Sequence, residues 1–167
     1  MLAPLTKEHT EIVAKIHNIS WADYEISVKL GLKYIKSFYD EVAQSPDAFG
    51  FVYMEEQETI AYAIGFLDYF AFNRIFVRGK LFSLAKSAIT SFVKGRLSCA
   101  DMYNMIIDKE KLKFLDYPKY HLGALAVNKR FHGSQLGKKA VLETIGAVIS
   151  FLHGKGCEAC WGCCDIR

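Results

Sequence analysis

The chain has 167 residues, of which 51% are hydrophobic, 23% charged and 14% aromatic, and its formal net charge is +3. That composition suits one domain over 1–167 with a buried core. The charge is too mild to indicate nucleic acid, though it would suit an anionic small molecule where the positive side chains converge. No apolar run reaches the length of a membrane span. The N-terminus, Met1-Leu2-Ala3-Pro4-Leu5-Thr6-Lys7-Glu8, lacks the basic start and apolar run of a signal peptide. A cytoplasmic protein with reduced cysteines is therefore expected.

In chain order, Thr6 to His17 reads as a helix with Ile12, Val13 and Ile16 on one side and Thr6 as its N-cap. Ser27 to Val42 repeats the helical spacing through Val28, Leu32, Ile35, Phe38, Tyr39 and Val42, with Gly31 as a break or kink. Phe49 to Met54 and Thr59 to Tyr69 predict two strands joined by the polar turn Glu55 to Glu58, an antiparallel hairpin. Arg74 to Val93 is helical, with Leu81, Leu84, Ala85, Ala88, Ile89 and Phe92 expected on the core. The alternative is a basic amphipathic helix at a membrane surface. Arg96 to Lys119 carries no clear pattern.

The next stretch is the most informative. Tyr120 to Val127 is a strand, Asn128 to Gly133 a short polar loop, and Ser134 to His153 a helix stopped by Gly154 and Gly156. The first amides of a helix have no intrahelical acceptor and carry a partial positive charge, so such an end binds phosphate. Gly133 and Gly137 would let backbone approach a diphosphate, and Lys138 and Lys139 add charge beside it. Those lysines sit at the wrong end of a helix dipole unless an anion is bound. Spacing alone leaves a phosphate site and a plain strand–turn–helix unit equally open. Cys160 to Ile166 predicts a last strand, apolar enough for an interior parallel position.

Leu122-Gly123-Ala124-Leu125-Ala126-Val127 followed by His132-Gly133-Ser134-Gln135-Leu136-Gly137 resembles motif A of the GNAT N-acetyltransferases, whose loop reads Arg/Gln-x-x-Gly-x-Gly/Ala. His132 and Gln135 depart from that pattern. The order of elements is also similar. The resemblance implies a mixed central sheet flanked by helices, acetyl-CoA as cosubstrate, and transfer of an acetyl group to a primary amine of a small molecule or peptide. It implies main-chain contacts to the acyl-pantetheine from Leu125, Ala126 and Val127. It places the diphosphate over the loop and helix start, at His132, Gly133, Ser134, Gln135, Leu136, Gly137 and Lys138. In that family a helix carrying an Asn and a Tyr, then two strands, come after the strand placed here at Cys160 to Ile166. The expectation is a fold lacking that C-terminal helix and strands, an incomplete catalyst, and a homodimer through the exposed last strand.

Amine acetylation needs a base for the amine proton. His121 is the first candidate, where the resembling family places a Glu on this strand, and Asp68, an acid within an apolar strand, is the second. Each has an alternative reading, His121 as a packing residue and Asp68 as a strand-end residue facing water. His9, His17, His132 and His153 are less well placed. Cys157, Cys160, Cys163 and Cys164 raise the question of zinc, but alternation along a strand turns Cys160 and Cys163 to opposite faces, so no metal site is expected. A non-catalytic acyl-CoA-binding or regulatory module and a small zinc-stabilised interaction domain are the competing readings.

Overall fold

The computed structural model describes residues 1–21, 23, 25–103 and 119–162. Its centre is a five-stranded sheet in sequential order: β1 (Leu2–Pro4), β2 (Ala48–Glu55), β3 (Glu58–Phe66), β4 (His121–Val127) and β5 (Trp161–Gly162). The first three pairings are antiparallel and β5 runs parallel to β4. The hairpin β2–β3 forms as its two apolar runs predict, turning through Glu56 and Gln57 at positive φ, but β3 ends at Phe66 and the expected strand residues Asp68 and Tyr69 open the next helix. The small strand β1 carries too few residues to show a period.

One face of the sheet is covered by α1 (Thr10–Ser20), α3 (Leu32–Val42) and the start of α4 (Tyr69–Val93), with α2 (Ile26–Leu30) packed against α3 and α4. Thr6 is the N-cap of a 3-10 turn over Lys7–His9, and α1 itself starts at Thr10, later than the sequence reading. Gly31, at φ +93°, breaks the second helical run into α2 and α3. Tyr39, Ile35, Val13 and Phe72 fill this side of the core, each at 1% exposure or less.

Helix α4 begins five residues before the expected Arg74, because Asp68 caps it: its Oδ1 accepts from Ala71 N at 2.8 Å. The residues it buries are Phe72 and Phe76, in the first turns, and Ser91 near its end. Leu81 and Ile89, expected in the core, are 58% and 61% exposed among the described residues, while Leu84 packs against the core. The chain resumes a helical turn at 99–103, tied to α2 by a 2.7 Å ion pair between Lys29 and Asp101. Most of the stretch that resisted assignment, 104–118, lies outside the described residues.

The other face carries α5 (Gln135–Gly154). Gly137, Ala140, Thr144, Val148 and Leu152 form its buried stripe. Ile149, expected inside, is exposed, and Thr144 takes a core position by turning its hydroxyl to Ala140 O at 2.8 Å. Phe151 packs on Phe49 with ring centroids 4.3 Å apart.

Strand β5 is shorter than the Cys160–Ile166 strand expected from the sequence. It is the terminal strand of the sheet among the described residues, not an interior one. Residues 163–167, including Cys163 and Cys164, lie outside the described residues. Cys160 is exposed and precedes the strand. No helix among the described residues is long and apolar enough to cross a membrane.

Candidate active site

The site is built around β4. Its pairing to β3 slips between Ile64 and Gly65: Ile64 faces Ala124 but Gly65 faces Leu122, so Gly123 is an extra residue, a β-bulge. Only glycine fits there. A Cβ on Gly123 would lie 2.4 Å from Cε2 of Phe66, a ring that is 1% exposed. Asn128 N donates to Ile60 O at 2.7 Å, which sets the alternation of the ladder. Ala124 and Ala126 therefore spend their main-chain groups on β3, and Leu125 and Val127 turn theirs to the opposite edge. This corrects the expectation for Ala126, whose amide and carbonyl face β3. Parallel pairing to β5 involves His121 and Leu122, and the edge from Gly123 to Val127 has no strand partner among the described residues.

At the C-terminal end of β4 the chain makes a 3-10 turn over Lys129–Phe131 and enters α5. Ser134 is the N-cap: its Oγ accepts from Gly137 N at 3.0 Å and donates to Phe131 O at 2.8 Å. The first backbone bond of the helix is Lys138 N to Ser134 O. The amides of Gln135 and Leu136 are left without an acceptor among the described residues. Gly133 sits at φ +75°. Gly137 is held so closely that a Cβ would lie 2.2 Å from Phe131 O. Of the expected loop residues, His132 is otherwise engaged: its Nε2 lies 2.9 Å from Val127 O, tying the loop to the strand. Ser20 Oγ donates to the same carbonyl at 2.9 Å. The Val127 carbonyl is thus saturated, which leaves its amide as the strand-edge group. Gln135 and Lys138 are exposed at the mouth of the loop. Lys139 is drawn aside toward Tyr53 and Glu143, contacts that raise its pKa.

At the other end of β4, the bulge opens onto a cavity of about 180 Å³. His121 lies in its wall, 7% exposed, stacked on Trp161 at 3.8 Å and on Phe66 at 5.6 Å, with the Tyr69 ring edge-on at 4.8 Å. Neither Nδ1 nor Nε2 has a hydrogen-bond partner among the described residues. A buried polar group left so costs about 1–3 kcal/mol, and such groups are uncommon enough to mark function. Burial pushes the His121 pKa down to about 4, so the ring is neutral at pH 7.

Asp68 is not an acid within a strand. Its carboxylate caps α4, which accounts for its position without chemistry.

A second histidine, His17, shares the cavity wall although its place in the first helix gave no sign of it. Its Nδ1 lies 2.8 Å from Tyr39 OH and 3.1 Å from Tyr62 OH, and its Nε2 lies 3.0 Å from Ser27 Oγ. Trp21 stacks on it at 4.8 Å. Burial holds its pKa down to about 4 and pushes that of Tyr34, also in the wall, up to about 12, with a further contribution from Tyr69. Both histidines and Tyr34 are therefore neutral near pH 7. His17 is a satisfied core histidine; His121 is not.

The two histidines also fix a pH dependence. Each has a pKa below its ordinary value of 6.5 in the folded chain, so the unfolded chain binds more protons between about pH 4 and 6.5. Their contribution to stability is complete above about 6.5 and is lost as pH falls toward 4. We expect the unfolding free energy from urea titrations to fall over that window, by up to about 1.4 kcal/mol per pH unit for each proton taken up. His121→Phe should reduce that slope by about one proton.

A larger concavity of about 480 Å³, lined by Glu8, His9, Glu56 and Glu58 among others, lies at the turn of the β2–β3 hairpin. It is open, and none of the unpartnered buried groups among the described residues lines it, so the smaller cavity at the bulge is the better candidate. Among the described residues no group of His, Cys, Asp or Glu converges as a metal site.

No protein-family model matches the sequence, and comparison with curated proteins gives no match. Solved structures do match. An aminoglycoside N-acetyltransferase, AAC(6')-Iy, in complex with CoA, aligns with 99% of this chain and 76% of its own at 13% identity, with a TM-score of 0.54. An aminoglycoside acetyltransferase from an uncultured soil metagenomic sample aligns over 99% of this chain and 77% of its own. In complex with trehalose it gives 11% identity and a TM-score of 0.46, and with sisomicin 13% and 0.43. The first of these likenesses shows that this chain, with its mixed sheet, bulged fourth strand and capped glycine loop, shares the fold of that N-acetyltransferase.

Proposed function

We propose that the protein is an acetyl-CoA-dependent N-acetyltransferase acting on a primary amine. The observation that carries this reading is the arrangement along β4. A glycine loop and helix start with free amides stand at one end, and a cavity with an unpartnered neutral histidine stands at the other. The strand between them, His121–Val127, is roughly 20 Å long, a span suited to the long acyl-carrying arm of CoA.

In this reading the diphosphate is received by the free amides of Gln135 and Leu136 and by the Lys138 ammonium, with Gly133, Ser134 and Gly137 shaping the loop so that it can approach. Leu125 and the amide of Val127 hold the arm at the strand edge. His121 takes the proton of the attacking amine as the nitrogen–carbon bond forms and the carbon–sulfur bond breaks. CoA itself supplies the activated thioester carbon and the thiol that leaves. The likeness to a CoA-bound acetyltransferase supports the cosubstrate.

A CoA-binding module without turnover is the second reading. What favours it is the low basicity of His121, at a pKa of about 4. Calorimetric titration with CoA, alongside thiol release from acetyl-CoA over a panel of amines, separates the two. Saturable binding with amine-dependent thiol release supports the enzyme. Binding without release supports the module, and absence of CoA binding overturns both.

A further inference from the structure

We propose that the amine acceptor is a small monoamine with a single aromatic ring or a compact apolar body, and not a polycationic amino sugar or polyamine. The inference rests on the acetyl-transfer reading above and concerns the cavity at the β4 bulge.

Size is the first argument. An apolar cavity of about 150 Å³ takes one benzene ring. The 180 Å³ here takes a ring of that kind with a short aminoalkyl tail. A molecule of several sugar rings has no place in it.

Lining is the second. Trp21, Tyr34, Phe38, Phe66 and Tyr69 present ring surface, and His121 presents the unpartnered nitrogens. Among the described lining residues there is no Asp or Glu. Several buried ammonium groups would each need a partner charge, and a desolvated cation without one is strongly disfavoured. One amine facing His121 needs none, because an apolar, water-poor site favours its neutral form. That form is the nucleophile.

The chemistry balances with what the site and the cosubstrate supply. The amine lone pair forms the bond to the acetyl carbon, and the carbon–sulfur pair leaves on sulfur. The proton lost from nitrogen passes by way of His121 to the thiolate. The products are an N-acetyl amine and free CoA thiol.

The test compares 2-phenylethylamine, spermidine and kanamycin as acceptors with acetyl-CoA, read by thiol release. A parallel titration follows the intrinsic fluorescence of the chain, whose two tryptophans both flank the site. Phenylethylamine should be used with a kcat/KM about 10²-fold above the other two and should saturate the fluorescence change. Ala124→Val, which narrows the cavity from a residue whose main chain is spent on β3, should raise its KM about 10-fold and leave CoA affinity unchanged. Preference for spermidine or kanamycin overturns this proposal and leaves acetyl transfer standing. Fluorescence saturation by phenylethylamine that Ala124→Val weakens, with no thiol release from any amine, overturns acetyl transfer and leaves the ligand assignment standing. No response to phenylethylamine in either assay overturns the proposal.

Discussion

His121→Phe should hold or raise the stability of the protein while lowering amine acetylation by about 10²-fold or more. The ring that replaces imidazole keeps the stack between Phe66 and Trp161. It also removes two buried nitrogens that have no partner among the described residues. Deleting an unsatisfied buried polar group without leaving a void is neutral to stabilising, here by up to about 2 kcal/mol. Loss of a positioned proton acceptor costs about 10²–10⁴ in rate. The opposite signs separate a catalytic histidine from a packing one: a merely structural residue would not give a firmer fold and a dead enzyme together. Urea midpoints, CoA affinity and thiol-release rates on the same preparation decide it. Unchanged CoA affinity locates the defect in chemistry. A parent rate in the phenylalanine variant would make His121 a wall residue and leave the site without a base.

Gly137→Asp should abolish detectable CoA binding. Two effects act together. Any Cβ at this position drives into the Phe131 carbonyl, and the obstacle is backbone, so the loop from Phe131 to Ser134 must move. A carboxylate in the first turn of α5 would then face the diphosphate proposed to lie where the helix offers its free amides. Two unit charges about 4 Å apart repel by roughly 4 kcal/mol at an effective dielectric near 20, more than 10²-fold in affinity. Gly137→Ala isolates the steric part and should cost about 1–3 kcal/mol of stability, as overpacking does. Gly146, in the same helix, has no atom within 4 Å of a built Cβ. Gly146→Asp should therefore leave CoA affinity near the parent value. Equal CoA affinity in a folded Gly137→Asp protein would remove the diphosphate from this loop.

The elements that carried a clean period were legible in the sequence. The β2–β3 hairpin up to Phe66, the break at Gly31 and the strand–loop–helix unit from β4 into α5 stand where alternation, helical spacing and glycine placed them. Asp68 shows what was hidden. In a run of Leu, Tyr and Phe, an N-cap and a strand acid look alike, because a cap is defined by the helical dihedral angles of the residues after it. The apolar stripe of α4 misled for a related reason: period reports a face, not whether another element covers it. His17 was passed over because its role comes from Tyr39 and Tyr62, which approach it from α3 and β3 across long sequence separations. The saturated Val127 carbonyl was equally out of reach, since Ser20 comes to it from α1, more than a hundred residues away in sequence.

The bulge at Gly123 has a consequence for which way His121 faces. In an unbroken strand, residues 121, 123, 125 and 127 share one side, so His121 would lie under α5 with Leu125, against Val148 and Leu152. One extra residue shifts the phase. His121 changes sides and joins Ala124 on the cavity wall, while Leu122 joins Leu125 beneath the helix. The half of β4 that offers its edge and the half that offers its ring are thereby set independently, like two keys cut on one blade. Deleting Gly123 would restore a regular ladder with His121 still on the cavity wall, whereas drawing Gly123 into that ladder would turn the imidazole to the far side of the sheet.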